Sequence, residues 1–325
     1  MTWDYQAPRW LPGGNLQTIY AAKLATTSAQ KNQPWQRERW HTPDGDFVDV
    51  DWINRGLAGH RPVLVLFHGL EGSSSSHYAR AFAAQAMARG WTMAVPHFRG
   101  CSGEINLAPR AYHSGDDNEI AWMLGQCQQR HDGPMVAVGI SLGGNALMRW
   151  AGVVGHAAGH VLQGAASVCA PLDLTASGHA IDQGFNRRVY ARMFLNTMKP
   201  RALQKLQQYP NLFDREALLA AQTLYAFDNV FTAPLHGFQN VDDYWARASA
   251  KPRLADIQIP ALVLNACNDP FVPAWSLPKA TEVSQTVTLW QPNAGGHVGF
   301  PKGPFPANVD AMPCAVLDWL QMTLP

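Results

Sequence analysis

Little in this 325-residue chain is charged: 15% of its residues are Asp, Glu, Lys or Arg, and they balance to a formal net charge of +1. No overall field therefore recruits nucleic acid or an anionic membrane. Cysteine is also scarce. Its five copies, Cys101, Cys127, Cys169, Cys267 and Cys314, are odd in number, scattered, and never form a C-x-x-C pair. That argues against a zinc site and a disulfide framework, and it suits a reducing compartment. No uninterrupted apolar run approaches the length of a membrane span. The opening MTWDYQAPRWLPGG has no basic region leading into an apolar one, so no secretory signal is expected. H-E-x-x-H is missing, GLEGSSSS lacks the lysine of a phosphate-binding loop, and no G-x-G-x-x-G follows a strand-like run. Zinc hydrolysis and nucleotide binding are thereby disfavoured. The expectation is a cytoplasmic protein with no cofactor, no metal, no nucleic-acid partner and no integral membrane segment, which leaves room for peripheral contact with a membrane.

Apolar residues are plentiful, at 47% of the chain, enough to bury a large core. Around PDGDF (43–47) a turn separates RERWHT from VDVDWI. In the second run Val48, Val50 and Trp52 alternate with Asp49, Asp51 and Asn54, the pattern of a half-buried antiparallel strand. The pattern then changes to short, nearly continuous apolar runs: VLVLF (63–67), TMAVPHF (92–98), MVAVG (135–139), AASVCA (165–170) and ALVLNA (261–266). Such runs suit strands covered on both faces of a parallel sheet. HYARAFAAQAMARG, DDNEIAWMLGQCQQR and NALMRWAGVV lie between them and read as helices, and VDAMPCAVLDWLQMTL reads as a closing helix with Pro313 near its first turn. Alternation of strand and helix predicts an α/β fold with right-handed crossovers.

That rhythm breaks between Pro171 and Ala255, where FNRRVYARMFLNTM, PRALQKLQQ and REALLAAQTLYAF are helical pieces without a core strand. The stretch 171–255 is therefore read as a helical cap inserted into a core made of 1–170 and 256–325. Arg187, Arg188, Arg192, Lys199, Arg201 and Lys205 cluster in it. They read as a solvated helix face, because no aromatic stacking platform alternates with them. Phe185, Tyr190, Met193, Phe194, Leu195, Phe227 and Phe231 are candidates either for lining an acyl pocket or for packing the cap onto the core.

Gly139-Ile140-Ser141-Leu142-Gly143 matches G-x-S-x-G, for which roughly 0.1 chance matches are expected in a chain of this composition. Context raises its weight: an apolar run ends at Gly139 and a helix comes next, the strand–turn–helix that exposes a nucleophilic serine. A tight turn alone explains Gly139, Gly143 and Gly144 but not Ser141. A serine hydroxyl needs an imidazole to take its proton and an acid to orient that imidazole. Cys267-Asn268-Asp269 comes directly after ALVLNA, which puts Asp269 just beyond a strand end, and His297 ends a flexible loop, QPNAGGH, after TVTLW. Asp173 is a competing acid, although it also suits a cap. Asp116 and Asp117 suit the start of a helix. The oxyanion of a tetrahedral intermediate needs backbone donors, and the amides of Leu142 and of Leu70, in the turn His68-Gly69-Leu70-Glu71-Gly72, are placed for it. His68 reads as a brace for that turn, and Cys101 as structural.

Taken together, NLQTIYAA, FHGLEGSSSSHYAR, HFRGCSGE, AYHSGD, VGISLGGN, FTAPLHGF, NDPFVP and GGHVGF resemble the YheT-type α/β hydrolases, a branch that includes membrane-linked eukaryotic lipases and yeast medium-chain fatty acid ethyl ester synthases/esterases. The matching stretches run in order along nearly the whole chain. The resemblance implies an α/β-hydrolase fold with a mostly parallel sheet, and carboxylic-ester hydrolysis on acyl substrates. It also implies a triad of Ser141, Asp269 and His297 with oxyanion donors at Leu70 and Leu142. Relatives often carry two acids before the Pro-Phe, where this chain has Asn268 and then Asp269, which narrows the choice of acid. The expected activity is a serine esterase acting through an acyl-enzyme on a small-molecule acyl ester. Acyl transfer to an alcohol by the same triad is the alternative, and a catalytically silent binding protein a second.

Overall fold

A computed structural model describes residues 3–27, 33–56 and 60–325. Its strands are β1 (Gln36–His41), β2 (Phe47–Ile53), β3 (Val63–Phe67), β4 (Thr92–Pro96), β5 (Met135–Ile140), β6 (Gly164–Val168), β7 (Ala261–Leu264) and β8 (Val287–Trp290). They form one sheet in the order β1-β2-β4-β3-β5-β6-β7-β8. From β4 to β8 every neighbouring pair is parallel; β1 and β2 close one edge antiparallel. The continuous apolar runs explain why the parallel strands lie inside. Along β3, Val63, Val65 and Phe67 point into one core with Ile120, Met123 and Leu147. Leu64 and Leu66 point into the other, with Phe82, Met312 and Leu317. The period of two thus feeds both faces, and each fully buried Val, Leu or Phe contributes on the order of 1.5–3 kcal/mol.

The helices that frame the sheet and its loops are α1 (Gly14–Lys23), α2 (His77–Ala88), α3 (Asp117–Arg130), α4 (Leu142–Val154), α5 (Leu174–Ile181) and α6 (Arg192–Gln208). Towards the C-terminus come α7 (Val241–Ala248) and α8 (Ala311–Gln321). Pro313 is the third residue of α8, where its missing N–H breaks no helical bond. α2 and α8 cover one face of the sheet, and α3 and α4 the other. Between β6 and β7 the described residues form helices and turns but no strand. Their apolar side chains gather in two clusters, one around Leu195, Leu218, Phe227 and Phe231, the other around Leu174, Val241, Tyr244 and Trp245.

Three local expectations need correction. β2 is buried along its whole length, not half-buried. Arg37 and Arg39 on β1 form two-pronged ion pairs with Asp51 and Asp49, and Ser74 and Ser102 supply further donors, so the acidic face is covered and its charges are compensated. Second, the helical pieces on either side of Pro200 merge into α6, which carries Pro200 inside it. Third, the basic cluster is not one solvated face. Arg187, Arg188 and Arg192 are exposed, but Arg201 is half-buried and Lys205 is 1% exposed. The Lys205 ammonium is satisfied by the carbonyls of Asn106 and Ala108 and by Gln208 Oε1. All three of its donors have acceptors, the condition under which a charge is buried.

Candidate active site

β5 delivers Ser141 into a sharp turn with φ +51°, a backbone conformation that side-chain-bearing residues resist. The turn is tight enough to require its glycines: a Cβ on Gly139 would lie 2.4 Å from the Gly143 carbonyl oxygen, and one on Gly143 would lie 2.5 Å from that of Phe67. Ser141 occupies the N-cap of α4, where a serine hydroxyl commonly binds a helix amide. Here it makes no capping bond. Its Oγ stands 3.0 Å from His297 Nε2 instead. His297 Nδ1 is 2.9 Å from Asp269 Oδ2, so the Nδ1–H tautomer donates to the carboxylate and leaves Nε2 to accept from the hydroxyl. Asp269 lies just beyond β7, its carboxylate fully enclosed. Asp269 Oδ1 accepts from the amides of Phe271, at 2.8 Å, and Val272, at 3.3 Å. The Phe271 ring stacks obliquely on the imidazole, centroids 4.2 Å apart.

Residues without a sequence motif of their own hold this arrangement. Thr18 Oγ1 accepts from the backbone N–H of His297 at 2.8 Å and donates to the Gly14 carbonyl at 2.7 Å. Gln17 Oε1 accepts from the Gly295 amide and from Asn268 Nδ2, and Asn268 Oδ1 accepts from the Gly296 amide. α1 sits so close to the acid loop that a Cβ on Gly14 would lie 1.8 Å from the Asn268 carbonyl oxygen. Cys169, at the end of β6 with φ +50°, accepts from the Val298 amide through its sulfur at 3.2 Å. Among the described residues, Cys169, Asp269 and His297 form the group whose ligand-type atoms come within 4.8 Å of one another, so it is the cluster geometrically able to share an ion. Asn145, one turn into α4, donates to the carbonyls of Ser114 and Ala248 and accepts from the Ala250 amide. The sequence signal for Gln17, Thr18, Asn145 and Asn268 is that they fall within the matching motifs; Cys169 falls in none of them.

The competing residues fall elsewhere. Asp173 caps α5 by accepting from Ala176 N–H, and Asp116 caps α3 by accepting from Glu119 N–H. Asp117 stands 3.5 Å from Arg149. His68 is fully buried, its Nδ1 facing the Gly69 carbonyl at 2.8 Å and its Nε2 accepting from Phe98 N–H at 3.0 Å. Burial pushes its pKa down to about 3, so it braces the turn as a neutral ring. Burial likewise pushes the Cys101 thiol up to about 12, far from the thiolate that a nucleophile needs.

In the turn after β3, Gly72 N–H donates to the Gly69 carbonyl, and Gly69 N–H donates to Tyr78 Oη. The Leu70 amide between them donates to no acceptor among the described residues. The Leu142 amide opens α4, where first-turn N–H groups have no helical acceptor. Both residues line one cavity with Ser141. Its walls are mainly apolar, with Ile181, Phe194, Met198, Leu224, Phe227 and Phe231 supplied by the strand-free segment. Of the aromatic and apolar candidates there, Phe194, Phe227 and Phe231 line the cavity. Phe185 and Met193 are exposed, while Tyr190 and Leu195 are buried away from it. No described helix is long and apolar enough to cross a membrane.

Comparison with known proteins agrees with this architecture. A family model for the α/β hydrolase fold matches residues 62–304. YheT of Escherichia coli (strain K12), an esterase by name, is 39% identical over 290 residues, 88% of this chain and 84% of that protein. Human phospholipase ABHD3 is 26% identical over 314 residues, covering 94% and 76%. The monoacylglycerol lipase of Saccharomyces cerevisiae is 28% identical over 274 residues, covering 82% and 59%. Among solved structures, mouse α/β hydrolase domain-containing protein 10 superposes with a TM-score of 0.55 at 14% identity, covering 88% of this chain and 99% of that one. The Pyrococcus furiosus esterase Pf2001 gives 0.51 at 15% identity, covering 92% and 94%; at such identities the likeness concerns the fold. The strand order, the sharp turn at the end of β5 and these matches lead to one conclusion: the chain belongs to the α/β hydrolases, with YheT among its relatives, and is a hydrolase.

Proposed function

We propose that the protein is a serine carboxylic-ester hydrolase that turns over short- to medium-chain acyl esters through an acyl-enzyme. The observation that carries this reading is the file of three side chains, Ser141 Oγ to His297 Nε2 at 3.0 Å and His297 Nδ1 to Asp269 Oδ2 at 2.9 Å. His297 takes the Ser141 proton as Oγ attacks the ester carbonyl, and the resulting imidazolium is stabilised by Asp269. The oxyanion is held by the amides of Leu70 and Leu142, whose N–H groups are otherwise uncommitted. Collapse of this intermediate breaks the bond to the alcohol oxygen, to which His297 returns the proton. Water then enters, gives a proton to His297 and attacks the acyl-enzyme; the second collapse releases the acid and restores Ser141. In this reading 171–255 serves as a cap on the core of 1–170 and 256–325, and its aromatic side chains receive the acyl chain.

The test is labelling with a fluorophosphonate probe alongside hydrolysis of p-nitrophenyl butyrate. Wild-type protein is expected to label and to turn over, and Ser141→Ala to lose the label and at least about a thousandfold in kcat. A Ser141→Ala protein that retained the wild-type rate would overturn the mechanism.

A further inference from the structure

We infer that Arg201 is a positioning residue: through Glu71 it ties the strand-free helical segment to the turn that carries the Leu70 amide. This rests on the proposed esterase activity, and it identifies a device on which the oxyanion site of that activity depends.

The turn itself is strained. Glu71 is the residue after Leu70 and has φ +57°, a position where glycine would be relaxed. A side chain held there against that preference is expected to have a use. Glu71 Oε1 accepts from Tyr112 Oη at 2.9 Å and from Arg201 Nη1 at 3.2 Å. The same Tyr112 oxygen accepts from the Glu71 backbone N–H at 2.9 Å. Tyr112 therefore grips both ends of one residue, and its ring is fixed by stacking on Phe98, centroids 5.5 Å apart. On the other side of Leu70, Gly69 N–H is fixed by Tyr78 Oη at 3.0 Å. Leu70 is thus suspended between two tethered neighbours, with its own N–H free to face the cavity.

Arg201 brings the far segment into this arrangement. It lies on α6, four residues before Lys205, whose ammonium donates to the carbonyls of Asn106 and Ala108. Eight residues on, Tyr209 Oη donates to the Leu107 carbonyl at 2.8 Å. Positions i and i+4 share a helix face, and Tyr209 is the residue just past the end of α6, so this end of the helix is bolted to the 106–108 loop and presents Arg201 to Glu71. Arg201 Nη1 also donates to the buried Cys101 sulfur at 3.1 Å. The guanidinium lines the same cavity as Ser141, Leu70 and Leu142. Seating of α6 and alignment of the Leu70 amide are therefore one event: with the helical segment displaced, the strained Glu71 turn loses a tether and is free to relax.

The test compares Arg201→Met, Arg201→Lys and Tyr112→Phe with wild type in three measurements: kcat and KM for p-nitrophenyl butyrate, the inhibition constant of an alkyl trifluoromethyl ketone whose serine adduct carries the oxyanion, and the thermal midpoint. Arg201→Met is expected to lower kcat by roughly tenfold to a hundredfold, part of what loss of a whole oxyanion donor brings. KM should stay within about twofold, and ketone affinity should fall in step with kcat. Arg201→Lys, which keeps a cation for Glu71, should recover most of the loss. Tyr112→Phe should reproduce it with little change in midpoint, which separates positioning from misfolding. A loss confined to KM, or unchanged kcat and ketone affinity in Arg201→Met, would overturn the inference while leaving the esterase reading intact. Wild-type protein inert to ester, ketone and fluorophosphonate alike would overturn both.

Discussion

Thr18 and His297 are joined across 279 positions of sequence by a 2.8 Å hydrogen bond from the His297 backbone N–H to the Thr18 hydroxyl. Since that hydroxyl donates onward to the Gly14 carbonyl, the loop carrying the imidazole is anchored to the first turn of α1. Thr18→Val keeps the shape and removes the acceptor. The His297 amide then loses its partner, and the loop is free to shift by some tenths of an ångström. Because a misplacement of about 1 Å can cost on the order of a hundredfold in rate, a loss of about tenfold in kcat is expected, with KM little changed. Thr18→Ser, which restores the oxygen, should return to near the wild-type rate. Steady-state kinetics on p-nitrophenyl butyrate checks this, and equal activity in all three proteins would refute it.

A second expectation concerns acid. His68 and His97 are buried beside each other, ring centroids 6.0 Å apart. Burial lowers the pKa of His68 to about 3 and that of His97 to about 4, with Asp51 partly opposing the latter shift. His113 and His236, centroids 4.3 Å apart, are each pushed by burial to about 3. In the unfolded chain all four titrate near 6.5. Between that value and the folded ones the unfolded state binds more protons, so stability falls as pH drops below about 6.5 and continues to fall towards 4. For His68 alone the loss at pH 5 is about 2 kcal/mol, and the neighbouring pairs contribute more without adding fully. Burial raises the carboxyl pKa of Glu119 to about 7 and that of Asp228 to about 6, which opposes this loss over the same range. Urea denaturation at pH 7.5 and pH 5.0 should therefore show a net drop in stability smaller than the four histidines would give alone; identical midpoints would contradict it.

Much of the candidate site is legible in the sequence because each of its three proposed central residues comes after a strand that announces itself. MVAVG precedes Ser141, ALVLNA precedes Asp269 and TVTLW precedes His297, and a parallel sheet brings the carboxyl ends of its strands to one edge. The residues that hold them are not legible in this way. Gln17 and Thr18 sit on a helix with no strong apolar face, and nothing local indicates that it packs against loops some 250 to 280 residues away. Asp49 and Asp51 look like a solvent face because alternation reports polarity, not whether Arg37 and Arg39 cover it from the next strand. Arg201 and Lys205 look like solvated cations for the same reason. Their partners, the Glu71 carboxylate and two loop carbonyls, are supplied by tertiary packing. Pro200 reads as a break, yet α6 continues through it, an override of local propensity by the packing on both sides.

The cavity offers a test of where an acyl chain would lie. Phe231 lines it and packs against Phe227 and Phe213, with ring centroids 5.2 and 5.1 Å away. It is 7% exposed, so Phe231→Ala removes a ring that neighbours cannot readily replace, and a stability loss of about 3–5 kcal/mol is expected. The space left behind lies in the wall of the proposed acyl pocket, where each methylene newly accommodated is worth about 1–3 kcal/mol of discrimination. Across p-nitrophenyl acetate, butyrate, octanoate and decanoate, the decanoate-to-butyrate ratio of kcat/KM should therefore rise by about tenfold in the variant, at a temperature where it remains folded. Phe185→Ala, made at a 53% exposed position away from the cavity, should leave that ratio as it was. An unchanged ratio in Phe231→Ala would mean that the ring packs the helical segment onto the core and does not meet the acyl chain.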